Sequence, residues 1–220
     1  MKQKLIVILG PTAVGKTRFA VKLANKYNGE IISADSRQVY QRMDIGTGKD
    51  LDEYEIDNKA IPFHLIDIID PSQEFDLFQF QKLFKDTYKS VTSRKRIPIL
   101  VGGTALYIHS ILNNYQMTEV DFNSSRREEL QQLSIDELKL LVAEKTNALH
   151  NTTDLLEKER IIKAILISEQ NNSLVETEEF EVMKLVIGLR EDRESIKNNI
   201  TERLKHRLQS GMIEEVEALV

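Results

Sequence analysis

The chain has 220 residues, of which 41% are hydrophobic and 30% are charged, and its formal net charge is −5. This composition excludes an intrinsically disordered chain and fits one large domain, or a core with an added module. The absence of cysteine excludes disulfides, a thiolate nucleophile and a cysteine zinc site. No apolar run reaches the ~20 residues of a membrane-spanning helix, and the run before Gly10 is too short for a signal peptide. We therefore expect a cytoplasmic protein with no membrane contact. The negative charge argues against general affinity for nucleic acid but allows a local basic surface.

The first half of the chain alternates predicted strands and helices. Continuous apolar runs predict buried strands, and apolar residues at helical spacing predict helices. The strands are expected at residues 5–9, 31–35, 66–69 and 97–101, and the helices at 17–27, 75–91 and 104–112. This repeated order predicts a mainly parallel sheet with right-handed crossovers.

The second half is mostly helical in pattern. Helical periodicity dominates residues 124–169, a strand at 181–189 is expected to return to the sheet, and a last helix is expected from 193 to the end. The apolar positions of this last helix share one face: Ile196, Ile200, Leu204 and Leu208. Its arginines are expected to form a charged outer face.

A phosphate-binding loop follows the first predicted strand. Residues 10–17 match the pattern G-x-x-x-x-G-K-[ST], with a predicted strand before them and a predicted helix after them. The glycines let backbone N–H groups point at an anion, and the helix dipole favours negative charge at the same place. Lys16 supplies a charge for a terminal phosphate, and the Thr17 hydroxyl suits Mg²⁺. The residues expected to bind a diphosphate or a nucleotide are Gly10, Pro11, Thr12, Ala13, Val14, Gly15, Lys16 and Thr17.

This loop also defines the expected fold class. We predict an α/β protein with a parallel sheet flanked by helices, like the P-loop-containing nucleoside triphosphate hydrolases. Residues 1–115 and 181–220 are expected to form this core, and residues 116–180 an inserted helical segment. The loop predicts binding of linked phosphates without specifying what carries them.

Polar residues follow the second predicted strand. Asp35 comes at its carboxyl end, where ligands bind in sheets of this class, so it is expected to face the phosphate loop. It suits a proton acceptor, a group near a metal, or a helix N-cap. Ser36, Arg37 and Gln38 have the hydrogen-bonding groups to read a nucleobase edge, and would equally suit a surface loop.

Several ordered segments resemble the tRNA dimethylallyltransferase family, also called the tRNA isopentenyltransferase or IPP transferase family. Those in the first 110 residues are 10–17, 35–40, 43–49, 64–67 and 101–107, and the later ones include 187–189 and 210–216. The resemblance implies transfer of a dimethylallyl group from dimethylallyl diphosphate to N6 of adenosine 37, in tRNAs that read codons starting with U. It implies Mg²⁺ as cofactor, the tRNA anticodon loop as partner, and a phosphate loop that holds the prenyl diphosphate. We expect a monomer.

The resemblance also implies roles for individual residues. Asp35 matches the general base and Thr104 a threonine near the reacting centre, and Lys16 completes the expected catalytic set. The residues implied to contact tRNA are Asp35, Ser36, Arg37, Gln38, Thr104, Arg126, Glu159, Arg160, Ile161, Ile162 and Lys163. In the stretch 159–163, Glu159 stands where the family has Gln, and Lys163 where it has a second Arg. Arg193 resembles an arginine that could approach the diphosphate.

Other functions share some of these features. A P-loop kinase of a nucleoside or small metabolite would have the same loop and sheet, and would transfer the γ-phosphate of ATP. A prenyltransferase of free adenine nucleotides would need no helical RNA clamp. A non-catalytic RNA-binding protein would bind tRNA and leave adenosine 37 unmodified.

Overall fold

The computed structural model describes residues 4–115, 117, 125–145, 157–170, 180 and 182–219. The chain divides into two compact units, the first made of residues 1–115 with 179–220 and the second of residues 116–178. The sequence predicts an inserted segment at residues 116–180. Residues 146–156 and 171–179 of the expected helical segment lie outside the described residues.

The first unit is built on a parallel sheet. Its strands in chain order are β1 (Lys4–Leu9), β2 (Gly29–Ser33), β3 (Glu55–Ile56), β4 (Lys59–Ala60), β5 (Phe63–His64), β6 (Ile97–Val101) and β7 (Met183–Gly188). Five of them form one sheet in the order β5-β2-β6-β1-β7, in which every described pairing is parallel. Strands β3 and β4 make a separate antiparallel hairpin. The α/β fold class with a mainly parallel sheet is thus confirmed.

Helices cover both faces of this sheet. The helices among the described residues of both units are α1 (Lys16–Tyr27), α2 (Leu77–Ser93), α3 (Ala105–Leu112), α4 (Ser125–Gln132), α5 (Ile135–Lys145), α6 (Lys158–Gln170), α7 (Arg193–Gln209) and α8 (Met212–Glu217), with a short 3₁₀ helix at Leu51–Tyr54. Side chains alternate across each strand, so β1, β2 and β6 contribute to two apolar cores. One core packs β1, β2 and β6 against α2 and α3, and the other packs the same strands against α1. Burial on both faces explains why these strands are continuous apolar runs.

The third predicted strand, at residues 66–69, is wrong. The strand in that region is β5, which pairs with β2 through Phe63 and His64. Leu65 and Asp67 have positive φ angles of 64° and 55°, so the chain turns away from an extended ladder immediately after β5. Ile69 keeps a single isolated bridge to Tyr40.

The last helix is shorter than predicted, and its charged face is not simply an outer face. Gly211 has a φ of +96°, which separates α7 from α8. On α7 the apolar positions Ile200, Leu204 and Leu208 are 43%, 51% and 45% exposed. The arginine-bearing face lines the cavity described below, because its guanidinium groups pair there with a carboxylate from the first half of the chain.

An ion-pair cluster lies at the amino end of β2. The Glu30 carboxylate, 3% exposed as a residue, accepts hydrogen bonds from Arg94 at 2.6 and 3.2 Å and lies 2.7 Å from His64 Nε2. Burial alone raises the pKa of Glu30, but the hydrogen bonds and charges of Arg94 and His64 outweigh it, so that this pKa lies below its ordinary value. Because the cluster lies at the opposite edge from the phosphate loop, we assign it to the stability of the sheet.

The second unit has an apolar core of its own. It is formed by Leu130, Leu138, Val142, Ile161, Ile162, Ile165 and Leu166 from α4, α5 and α6. In both units, the described helices are too short or too polar to cross a membrane.

Candidate active site

A cavity of about 1170 Å³ lies at the carboxyl ends of β1, β2 and β6. The loops that follow these three strands line it, together with residues 46–50 and the polar face of α7. Asp35 and the phosphate loop therefore face the same space, as the sequence predicts. This is the edge at which open α/β sheets bind their ligands.

The phosphate loop has the backbone geometry of an anion cradle. Gly10 has a φ of +154°, and a Cβ there would lie 2.9 Å from the carbonyl oxygen of Leu189. Ala13 and Gly15 also have positive φ angles, of 63° and 81°. Residues 12–17 line the cavity, and the last two of them, Lys16 and Thr17, begin α1. Gly10 and Pro11 are outside the lining of the cavity, and their carbonyls accept hydrogen bonds from Lys16 Nζ at 3.0 and 2.7 Å.

The Lys16 ammonium lies between groups of opposite charge. Burial lowers the pKa of Lys16, the Asp35 carboxylate raises it, and the Arg203 guanidinium lowers it further, with a net decrease from the usual value. These influences show that Asp35 and Arg203 both lie close enough to Lys16 to act on its charge. Lys16, Arg203 and the Asp35 carboxylate thus all line the same cavity.

Asp35 is held by the two loops beside it. Its Oδ1 accepts the backbone N–H of Arg37 at 3.0 Å, which closes a short Asx turn. Its Oδ2 lies beside Gly103, where a Cβ would come within 2.9 Å of that oxygen. Only a glycine leaves room for the carboxylate in this position.

Thr104 joins the loops that follow β2 and β6. Its Oγ1 accepts the backbone N–H of Ser36 at 2.8 Å and donates to Ser36 Oγ at 3.1 Å. Its own N–H donates to the carbonyl of Ala34 at 3.0 Å. Thr104 therefore fixes the turn that presents Asp35, and its hydroxyl lines the cavity.

The Gln38 amide has a defined orientation. Its Oε1 accepts a hydrogen bond from Ser33 Oγ at 3.2 Å, and its Nε2 donates to the carbonyl of Gly48 at 2.9 Å. The second bond uses one of the two N–H groups of Nε2. Ser36, Arg37 and Gln38 all line the cavity.

The sequence did not reveal the polar face of α7 as part of the site. Asn199 donates to the carbonyl of Ala13 in the phosphate loop at 3.3 Å. Arg203 and Arg207 lie 3.0 and 3.5 Å from Asp50 Oδ2. The spacing 199, 203 and 207 puts these side chains on one helical face, a signal present in the sequence, although the sequence alone does not say which face meets the sheet. Arg193 is exposed at the start of α7 and lies outside the described lining of the cavity.

In the second unit, the residues expected to contact tRNA lie on α4 and α6. Arg126 binds Glu169 through two hydrogen bonds of 3.1 and 3.0 Å, and these bonds raise its pKa. Arg127 pairs with Glu159 at 3.0 Å. Further along α6, Arg160 pairs with Glu157 and Lys163 is half-buried. Ile161 and Ile162 are buried in the apolar core, so their side chains support α6 instead of facing solvent.

The donor set around the cavity suits Mg²⁺. Among the described residues, no group of three His, Asp or Glu side chains is arranged to enclose a metal ion. Mg²⁺ usually keeps several waters and binds through one or two protein groups together with substrate phosphates. Thr17 lines the cavity at the phosphate loop and offers such a ligand.

Together, the parallel sheet and its strand–loop–helix cradle define a P-loop protein, with the fold of nucleoside triphosphate hydrolases. Within this class, the chain belongs to the IPP transferase family, whose model matches residues 38–220, and the isopentenyl transferase model matches residues 3–65. A tRNA dimethylallyltransferase 1 of Syntrophus aciditrophicus is 48% identical over 222 residues, which span 100% of this chain and 73% of that protein. The protein of the same name in Geotalea uraniireducens is 48% identical over 219 residues, with 100% and 71% covered.

Solved structures agree with this assignment. The tRNA isopentenylpyrophosphate transferase of Bacillus halodurans aligns with a TM-score of 0.64 at 32% identity, covering 99% of this chain and 70% of that one. A eukaryotic dimethylallyltransferase acting on tRNA aligns with a TM-score of 0.77 at 27% identity, covering 99% of this chain and 56% of that one.

Proposed function

We propose that this protein transfers the dimethylallyl group of dimethylallyl diphosphate to N6 of adenosine 37, in tRNAs that read codons starting with U. The observation that carries the proposal is one cavity lined both by the phosphate loop with Lys16 and by Asp35. A diphosphate on the first and an adenine beside the second would meet within it. The names of the relatives support dimethylallyl transfer to tRNA.

The leaving group belongs on the phosphate-loop side. When the C1–O bond of the donor breaks, negative charge develops on the diphosphate oxygens. The backbone N–H groups of residues 12–17, Lys16 and the nearby Arg203 are positioned to stabilise that charge. A Mg²⁺ ion bound at Thr17 would supply further stabilisation of the same charge.

The nucleophile belongs on the Asp35 side. The amino group of adenine is a poor acid, so its proton is released only as the N6–C1 bond forms. Asp35 would accept that proton on Oδ2, since Oδ1 already accepts the N–H of Arg37. Gln38 suits adenine, because an amide can pair with both a donor and an acceptor on this base.

The second unit offers basic side chains for RNA phosphates. Arg126, Arg127, Arg160 and Lys163 lie on α4 and α6, and three of them pair with glutamates. These pairs are exposed or partly exposed, so exchange of a carboxylate for a phosphate is inexpensive. Adenine 37 must leave the anticodon stack to react, which costs a few kcal/mol that such contacts would offset. We propose a cytoplasmic monomer.

The test is a reconstitution. The protein is mixed with unmodified tRNA, dimethylallyl diphosphate and Mg²⁺, and the tRNA nucleosides are analysed by mass spectrometry. We expect N6-dimethylallyladenosine at position 37. Parallel reactions with ATP and a nucleoside, and with AMP as acceptor, should give no product. Phosphoryl transfer from ATP, or prenylation of AMP but not tRNA, would contradict the proposal.

A lysine variant tests the diphosphate assignment. Lys16→Met should abolish product and weaken donor binding, because it removes the mobile cation of the cradle. Lys22→Met, on the exposed side of the same helix, is the matched control and should retain wild-type rates. Unchanged donor affinity in Lys16→Met would place the diphosphate elsewhere.

A further inference from the structure

Two segments about 170 residues apart meet at a single carboxylate. Glu215, on α8, accepts the backbone N–H groups of Asp44 and Ile45 on Oε2, at 2.8 and 2.7 Å. It accepts the N–H of Gly46 on Oε1, at 2.9 Å. Three backbone donors therefore converge on one ionised side chain, and charge-assisted bonds of this kind are roughly twice as strong as neutral ones.

The loop that Glu215 holds is closed on itself. We call residues 43–50 the clamp loop. Within it, the N–H of Gly48 donates to the carbonyl of Ile45, and the N–H of Lys49 to that of Asp44, both at 3.1 Å. Fixing the three amides that Glu215 binds therefore also fixes the carbonyl of Gly48.

A buried lysine anchors the other side of the clamp loop. The Lys49 side chain is fully buried, and its Nζ donates to the carbonyl of Tyr40 at 2.8 Å and to Asp44 Oδ1 at 2.6 Å, and also binds Asp67. These bonds tie the base of the loop to the core. The amides that face α8 are held by Glu215 instead.

The clamp loop acts on the cavity through the bond from Gln38. The carbonyl of Gly48 accepts the Gln38 amide, and residues 46–50 line the cavity. At position 48 a side chain would collide with the Arg207 guanidinium of α7, so the loop is packed closely under that helix. Movement of the loop would release the Gln38 amide from its defined orientation.

We propose that Glu215 is a positioning residue, which orders the clamp loop and through it orients Gln38 for the acceptor base. This inference rests on the proposed function for its kinetic consequence, since Gln38 lies on the acceptor side. The phosphate loop, the proposed donor site, is built on β1 and α1 and has no hydrogen bond to Glu215 among the described residues. Arg203 of the donor side pairs with the clamp loop through Asp50, which lies at the far end of the loop from the three amides that Glu215 binds, next to the 3₁₀ helix. Loss of Glu215 should therefore affect tRNA and donor differently.

The experiment compares Glu215→Gln with Glu214→Gln in the full chain. The first variant keeps the shape of the side chain, but places an NH₂ group where N–H donors converge. The second removes a neighbouring exposed charge and leaves the three hydrogen bonds intact. With Glu215→Gln we expect faster hydrogen exchange of the amides of residues 44–46, and a shifted side-chain amide resonance of Gln38. The amides of β1 should stay protected, which shows that the fold persists.

Kinetics then separates positioning from a merely structural role. In Glu215→Gln, kcat/KM for tRNA should fall about 10- to 100-fold, the scale of a small misplacement of a binding group. KM for dimethylallyl diphosphate should stay within about two-fold of the wild type, since the hydrogen bonds of Glu215 go to residues 44–46 and not to the phosphate loop. Glu214→Gln should match the wild type in both.

Each contrary result has a distinct meaning. Unchanged exchange at residues 44–46 would overturn the ordering role of Glu215. Faster exchange with wild-type tRNA kinetics would overturn its link to Gln38, and equal losses for tRNA and donor would indicate general damage to the site. If the wild type transfers no prenyl group at all, the proposed function fails, while the exchange rates and the Gln38 resonance still decide the positioning role.

Discussion

Replacing Asp35 by asparagine isolates the proton-accepting role that we propose for this side chain. The amide oxygen of asparagine can still accept the N–H of Arg37 that Oδ1 accepts at 3.0 Å, so the turn should persist. The second oxygen becomes an NH₂ group beside Gly103 and can no longer accept a proton. Loss of a general base lowers the rate by about 10²- to 10⁴-fold, which corresponds to about 3–5 kcal/mol of transition-state stabilisation.

The assay is a single-turnover measurement with excess enzyme, preformed tRNA complex and rapid addition of dimethylallyl diphosphate. It reports the chemical step free of product release. Asp86→Asn, an exposed carboxylate on α2, is the control and should react at the wild-type rate. A rate in Asp35→Asn within about three-fold of the wild type would refute the assignment, because a base that contributes less than about 0.7 kcal/mol is not acting as one.

Two further substitutions test the surroundings of the site and the pH dependence of the fold. Gly103→Ala should lower the single-turnover rate by about 10- to 100-fold, since its Cβ would lie 2.9 Å from Asp35 Oδ2 and displace that oxygen. Gly188→Ala, whose Cβ would meet no atom within 4 Å, should be nearly neutral, and equal rates in the two variants would contradict the steric argument. Glu30→Gln should lower the free energy of unfolding at pH 7 by roughly 1–3 kcal/mol, the scale of a lost hydrogen bond to a charged group. The pKa of Glu30 is depressed in the folded state, so the difference in unfolding free energy between wild type and variant should be full above the ordinary carboxyl pKa. It should shrink as the pH falls through the lower pKa of the folded state. Urea titrations from pH 7 to pH 3 measure this dependence. A difference independent of pH would show that the Glu30 charge is not the cause.

The sequence predicted the part of the fold in which local pattern and burial agree. Strands β1, β2 and β6 are buried on both faces, so their apolar runs identify them without further information. The sequence prediction failed at β5. Only Phe63 and His64 pair with β2 there, and Leu65 and Asp67 then have left-handed backbone angles, which the isoleucines nearby in the sequence do not indicate.

In the candidate site, too, the sequence predicts the residues that carry a local signal and misses those placed by long-range contacts. The phosphate loop and Asp35 are local signals attached to strand ends, and the cavity brings them together as expected. Arg203 and Glu215 depend on contacts with residues about 150 or more positions away, which a single sequence does not encode in any local period. The same long-range packing determines which face of α7 meets the site.

The position of β6 between β1 and β2 has a consequence for the substrates that this protein can accept. Neighbouring strands lie about 4.8 Å apart, so the end of β1, which carries the phosphate loop, and the end of β2, which carries Asp35, are separated by two strand spacings, roughly 10 Å. Hydrogen-bonded ladders set this width, and loop substitutions change it little. In the proposed reaction, a donor with a longer isoprenoid tail would therefore have to extend outward from the cavity, because the sheet itself would fix the span between leaving group and acceptor amine.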